Sequence, residues 1–178
     1  MKSLSNCSTV ETELHEVSVI RTDMRVGIVV NPDAGLGGKL GFKGSDGRAK
    51  EARKAGAQDR AGPRMALCLD RFAELLNSSL NRAGISPTLL AWDGRMGGDW
   101  ITNDYTSLGE TPDSTSADDT NSLVSQLIEH DVDVILYAGG DGTTRDIVNT
   151  LGEVKIPLIG VPGGVKMHSG CFATTPNA

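Results

Sequence analysis

Four short apolar runs divide the chain: RVGIVVN at 25–31, TLLAW at 88–92, VILYA at 134–138 and PLIGV at 157–161. A strand with one wet face alternates apolar and polar residues. An unbroken run bounded by turn residues instead reads as a strand covered on both faces, as in a parallel sheet. Between the runs the period changes. Met65, Leu69, Phe72, Leu76, Leu80 and Ala83 recur at helical spacing and predict a helix over 63–83, closed by Gly84 as a C-cap. Ser116, followed by Asp118 and Asp119, predicts the N-terminus of a second helix. Leu123, Leu127 and Ile128 form its buried face, and it ends near His130, where an imidazole suits the helix dipole. A third helix is expected from Thr143 to Leu151, with Ile147, Val148 and Leu151 on one side. Strands separated by helices predict an α/β fold: a Rossmann-like open parallel sheet flanked by helices.

Glycine clusters follow the strands. Asn31-Pro32-Asp33-Ala34-Gly35 leads into Gly37-Gly38-Lys39; Gly139-Gly140-Asp141-Gly142-Thr143 follows the third run; Pro162-Gly163-Gly164-Val165-Lys166-Met167-His168-Ser169 follows the fourth. A strand, a glycine turn and a helix N-terminus together suit an anion. Outward N–H groups and the helix dipole favour negative charge, and without a Cβ the backbone can approach a phosphate closely. The first loop is not a Walker A sequence, because the G-x-x-x-x-G-K-[ST] spacing fails. Asp141 is the anomaly: a carboxylate repels phosphates unless it holds a metal or takes a proton. Lys166 could meet a phosphate as a point charge, and His168 could donate to a substrate. The stretch 93–115, with Gly94, Gly97, Gly98 and Gly109, reads as a further loop whose acids Asp99, Asp104, Glu110 and Asp113 are solvated.

Charge changes the picture in one place. The 178 residues carry a net charge of −6, which argues against nucleic acid or an anionic membrane as partner. Yet 37–64 holds eight basic and three acidic residues. That stretch reads as a polar loop, either solvated or a basic flap facing phosphates with Gly44–Gly47 at its tip. No run is long enough to span a bilayer, and the N-terminus lacks the regions of a signal peptide. Cys7, Cys68 and Cys171 form neither a disulfide framework nor a zinc pattern, so a reducing, cytoplasmic location is expected. Residues 1–23 carry no motif and read as an N-terminal extension. A homo-oligomer stays open.

Four segments, NPDAGLGGKLGFKGSDG, STSADDT, YAGGDGTTRDI and GVPGGVKMHSGCFATTP, together resemble the ATP-NAD kinase family, closest to its AcoX-like branch. GGDGT alone is less specific, since lipid kinases and phosphofructokinases carry relatives of it. The resemblance implies a Rossmann-like N-terminal domain over 24–178, ending before the β-rich C-terminal domain that supplies much of the NAD site. It also implies transfer of the γ-phosphate of ATP to the adenosine ribose 2′-hydroxyl of NAD with a divalent metal, Mg²⁺. On that pattern Asp141 is the base for the hydroxyl, and Gly139, Gly140, Gly142 and Thr143 contact nucleotide. Asn31 and Gly35 sit near the triphosphate, with Gly163, Gly164 and Lys166 in the third loop. Two rival readings keep the same residues: a related kinase for a lipid or small alcohol, and a nucleotide-binding domain without catalysis.

Overall fold

The computed structural model describes residues 23–36, 49–78, 87–164, 167–173 and 175. The expected N-terminal extension, the flap tip at Gly44–Gly47, the end of the first long helix with Gly84, and Lys166 lie outside the described residues. Five parallel strands form one sheet: β1 (Arg25–Val30), β2 (Thr88–Asp93), β3 (Tyr105–Glu110), β4 (Val134–Gly139) and β5 (Leu158–Pro162). Their order is β3-β2-β1-β4-β5. The chain winds outward from β1 in one direction and then from β4 in the other, so the switch point lies between β1 and β4. That pair is in register from Val26 opposite Val134 to Val30 opposite Ala138.

The unbroken apolar runs are explained by two separate cores. Val26, Ile28 and Val30 of β1, Leu89 and Ala91 of β2, and Leu136 and Ala138 of β4 face one side. There they meet Ala61, Met65 and Leu69 of helix α2 (Ala61–Ser78). The alternate residues Val29, Leu90, Trp92, Ile135 and Tyr137 face the other side. They pack against Leu123, Val124 and Leu127 of α3 (Ala117–Glu129) and Ile147 and Leu151 of α4 (Asp141–Leu151). The strands β1, β2 and β4 are therefore wetted on neither face, because successive side chains point to opposite sides. Gly27 lets α3 lie close: an added Cβ would stand 2.7 Å from Leu127 Cδ1.

The boundaries hold with four corrections. The stretch 93–115 is not all loop, because β3 lies within it and pairs with β2. Its acids Asp99, Asp104, Glu110 and Asp113 are nonetheless exposed, as expected. The basic stretch is not all loop either: it contains the short helix α1 (Ala49–Lys54) and the first turn of α2. Helix α4 begins at Asp141, two residues earlier than expected. Val148 does not face the core but is 49 % exposed, because α4 turns Thr143, Thr144, Ile147 and Leu151 inward. Ser116 caps α3 as predicted; its N–H and hydroxyl both donate to Asp119 Oδ2, at 2.7 and 2.9 Å. His130 closes α3, its Nδ1 2.8 Å from Gln126 O. No helix among the described residues is long and apolar enough to cross a membrane.

Candidate active site

The three glycine loops meet at the carboxyl ends of β1, β4 and β5, the three strands that straddle the switch point. Open α/β sheets place ligands in this crevice. Pro32 ends β1 because it has no N–H for the ladder. Asn31 then works in three directions. Its N–H donates to Ala138 O at 2.9 Å, its Oδ1 accepts from Asp33 N–H at 3.0 Å, and its Nδ2 donates to Thr143 Oγ1 at 2.9 Å. The last bond crosses from β1 to the first turn of α4 and ties the two sides of the crevice together. Thr143 is 3 % exposed, and its Oγ1 also lies 3.5 Å from Gly140 N.

Gly35 has φ of +83°, a conformation that side chains rarely adopt. It also packs directly on the third loop, since an added Cβ would stand 2.0 Å from Gly163 O. Gly163 in turn donates to Gly139 O at 2.7 Å. Backbone thus lies on backbone from β1 through β5 to β4. Gly140 and Gly164 are covered by one side chain: an added Cβ would lie 3.7 and 3.0 Å from Met167 Cε. At Gly142 the nearest atom to an added Cβ would be Arg145 Nη2, at 3.9 Å. The backbone there is open.

Asp141 occupies the first turn of α4 and is partly exposed. The helix ladder begins with Thr144 N–H donating to Gly140 O at 3.0 Å. The N–H groups of Asp141, Gly142 and Thr143 stand ahead of it, where a helix has donors without intrahelical acceptors. The carboxylate itself is gripped by the turn after β5. Asp141 Oδ1 accepts from Ser169 Oγ at 2.6 Å, Ser169 N–H at 2.9 Å and His168 N–H at 3.1 Å; Oδ2 accepts from His168 N–H at 3.0 Å. The Ser169 hydroxyl and N–H, then the His168 N–H, hold the carboxyl below the usual aspartate range. Asp141 is therefore charged at neutral pH.

The structure brings Asn31, Gly35, Gly139, Gly140, Asp141, Gly142, Thr143, Gly163 and Gly164 to one edge of the sheet. Three contributors carried no local signal. Ser169 meets Asp141 from 28 residues away. Arg64 reaches out of α2 and donates to Pro162 O and, at 3.1 Å, to Gly164 O, fixing the third loop. Arg53 of α1 donates to Asp59 Oδ1 at 3.0 Å and Pro32 O at 3.2 Å, and lies 2.9 Å from Asp33 Oδ1. These two arginines of the basic stretch hold loops in place. A cleft of about 70 Å³ opens between Gly35–Leu36 and 56–60.

With this geometry in view, the chain matches the family described as ATP-NAD kinase N-terminal domain over residues 26–178. The chain belongs to that family. No curated protein matches it. The family accounts for the architecture: the five-stranded parallel sheet between two helical layers is that of an NAD kinase N-terminal domain. Among the described residues, no three His, Cys, Asp or Glu side chains converge to hold a metal ion. Mg²⁺ dehydrates reluctantly and is commonly held by substrate phosphates and water together with one or two carboxylates.

Proposed function

We propose that the chain is an ATP-dependent NAD kinase: it binds MgATP and NAD in the crevice between β1 and β4 and transfers the γ-phosphoryl group to the ribose 2′-hydroxyl. Phosphoryl transfer through a loose transition state asks a protein mainly for positioning and for neutralisation of charge. The open backbone at Gly142 and the N–H groups ahead of the α4 ladder suit phosphate oxygens. Asn31, Gly35, Gly139, Gly140, Thr143, Gly163 and Gly164 shape the crevice, and Lys166 would bring a point charge to the third loop.

The observation that carries the reading is the placement of Asp141. It is an ionised, partly exposed carboxylate at the switch point, next to N–H groups that favour phosphate. Its oxygens are not equivalent. Oδ1 takes three hydrogen bonds and Oδ2 one, a branch of the His168 N–H bond. Oδ2 is the oxygen left to accept the proton of the 2′-hydroxyl. The low pKa makes Asp141 a weak base, which suits a transition state in which the hydroxyl loses its proton late.

The test is the purified chain with ATP, Mg²⁺ and NAD, read for NADP, beside Asp141→Asn. The variant is expected to lose turnover by ~10²–10⁴-fold while calorimetry still detects ATP binding. Full activity in Asp141→Asn removes Asp141 from the reaction. ATP binding without any NADP from the wild-type chain leaves a nucleotide-binding domain.

A further inference from the structure

We propose that Ser169 is a positioning residue for this phosphoryl transfer, its hydroxyl and the N–H groups of the 168–169 turn fixing Asp141 Oδ1 so that Oδ2 stays open to the acceptor alcohol. The inference rests on the proposed reaction. Its basis is an asymmetry that α4 does not supply by itself. Three donors converge on Oδ1 from the turn after β5: Ser169 Oγ at 2.6 Å, Ser169 N–H at 2.9 Å and His168 N–H at 3.1 Å. A carboxylate one residue into a helix can otherwise rotate and bond its own N-terminal N–H groups, which would compete with a phosphate for the same donors. The grip of the turn withholds Asp141 from them.

The N–H contacts come from the backbone and need no particular side chain, proline excepted. The hydroxyl is the one partner that side-chain chemistry adds, and it makes the shortest of the four bonds. It also lies on the same carboxylate that an acceptor alcohol must reach, so a second hydroxyl there finds Oδ1 already filled. Among the described residues, the other charged or titratable groups near Asp141 are few. His168, on the same turn, favours the carboxylate. Tyr137 of β4 has its phenol pushed up by burial and by Cys171, and remains neutral. Arg145, one turn along α4, approaches the open backbone at Gly142. Among the described residues none of these side chains donates a hydrogen bond to Asp141, so Ser169 stands as the hydroxyl that sets its orientation.

The experiment compares wild type, Ser169→Ala and Ser169→Thr in the full chain. Two readouts are taken: the Asp141 titration by carboxyl-detected NMR, and the pH profile of kcat/KM for NADP formation. In Ser169→Ala the carboxylate loses a donor, so both the Asp141 titration and the acid limb of kcat/KM move to higher pH together. The value of kcat/KM at pH 7 falls by about tenfold, the effect of one hydrogen bond to a charged group, while ATP affinity is retained. Ser169→Thr keeps a hydroxyl and restores both. An acid limb that does not move in Ser169→Ala, with NADP still formed by the wild type, overturns the inference and leaves the proposed reaction standing. The same holds if the titration moves without the limb, since the contact is then only structural. Absence of NADP from the wild type removes the proposed reaction and this inference with it.

Discussion

Two carboxylates in this molecule stand in nearly the same local setting. Asp93 ends β2 and precedes Gly94, Gly97 and Gly98; Asp141 follows β4 among Gly139, Gly140 and Gly142. Both are held below the usual aspartate range, Asp93 first by the Tyr105 hydroxyl at 2.6 Å and Asp141 first by the Ser169 hydroxyl at 2.6 Å. They differ in what the glycines are for. After β2 the glycines admit the protein itself. A Cβ on Gly98 would stand 2.3 Å from Tyr105 Oη, and one on Gly97 would stand 2.6 Å from Ala91 Cβ. After β4, a Cβ on Gly142 would meet only the Arg145 side chain, in ordinary contact at 3.9 Å from Nη2. The β2 loop lies on the β3 side of the sheet, where the winding does not reverse, whereas the β4 loop lies at the switch point. A glycine loop with an acid is thus an ambiguous sign: whether it faces a ligand depends on the neighbouring strand.

The sharpest way to break this comparison is to neutralise each acid in turn. Asp141→Asn is expected to lose ~10²–10⁴-fold in turnover, and Asp93→Asn less than about twofold, with its loss appearing in thermal melting instead. Equal losses of turnover would erase the functional distinction between the loops.

The glycines give the next effect. Gly98→Ala displaces the Tyr105 hydroxyl and should cost about 1–3 kcal/mol of stability, read from urea unfolding, as overpacking does. Gly142→Ala should leave stability unchanged or raise it by about 0.4–1 kcal/mol, because alanine fits a helical backbone. Its methyl group would nonetheless enter the space proposed for phosphate, so KM for ATP should rise. If Gly142→Ala binds ATP as well as the wild type does, the open backbone is not the phosphate site.

The smallest effect is common to both acids and depends on pH. Each folded pKa lies below the unfolded value of about 3.9, so the unfolded chain binds more protons between the two values. The stability contributed by these hydrogen bonds is present above pH ~4 and is lost as pH falls through the folded pKa. Asp93→Asn and Tyr105→Phe should each flatten the acid side of the stability profile, and the gap between Asp93→Asn and wild type should close with falling pH. A gap that stays constant down to acid unfolding would mean that the Tyr105 contact does not depend on charge.

Much of the scaffold was legible because burial on two faces leaves a continuous apolar run. β1, β2, β4 and β5 each read that way, and α2 and α3 declared themselves by period and by the Ser116 cap. β3 was not legible. Its sequence YTSLGE is largely exposed, and it is a strand because β2 offers it an unpaired edge. Helix α1 was hidden for a related reason: AKEARK has little apolar face, and Arg53 anchors it to Asp33 and Asp59. Val148 misled because helical spacing alone leaves the orientation of a face uncertain by about one residue in either direction.

The linear order of residues determined which segments become strands, where glycine loosens the backbone, and that one acid stands among the glycines after the third apolar run. Those are local properties, set by sterics and by the patterning of apolar side chains. Tertiary structure decided that the loops of β1, β4 and β5 share one crevice and that the Asn31 amide bridges to Thr143. It also decided that the Ser169 hydroxyl occupies one oxygen of Asp141 and leaves the other. Such contacts join residues far apart in the chain, and only strand order and register bring them within hydrogen-bond distance.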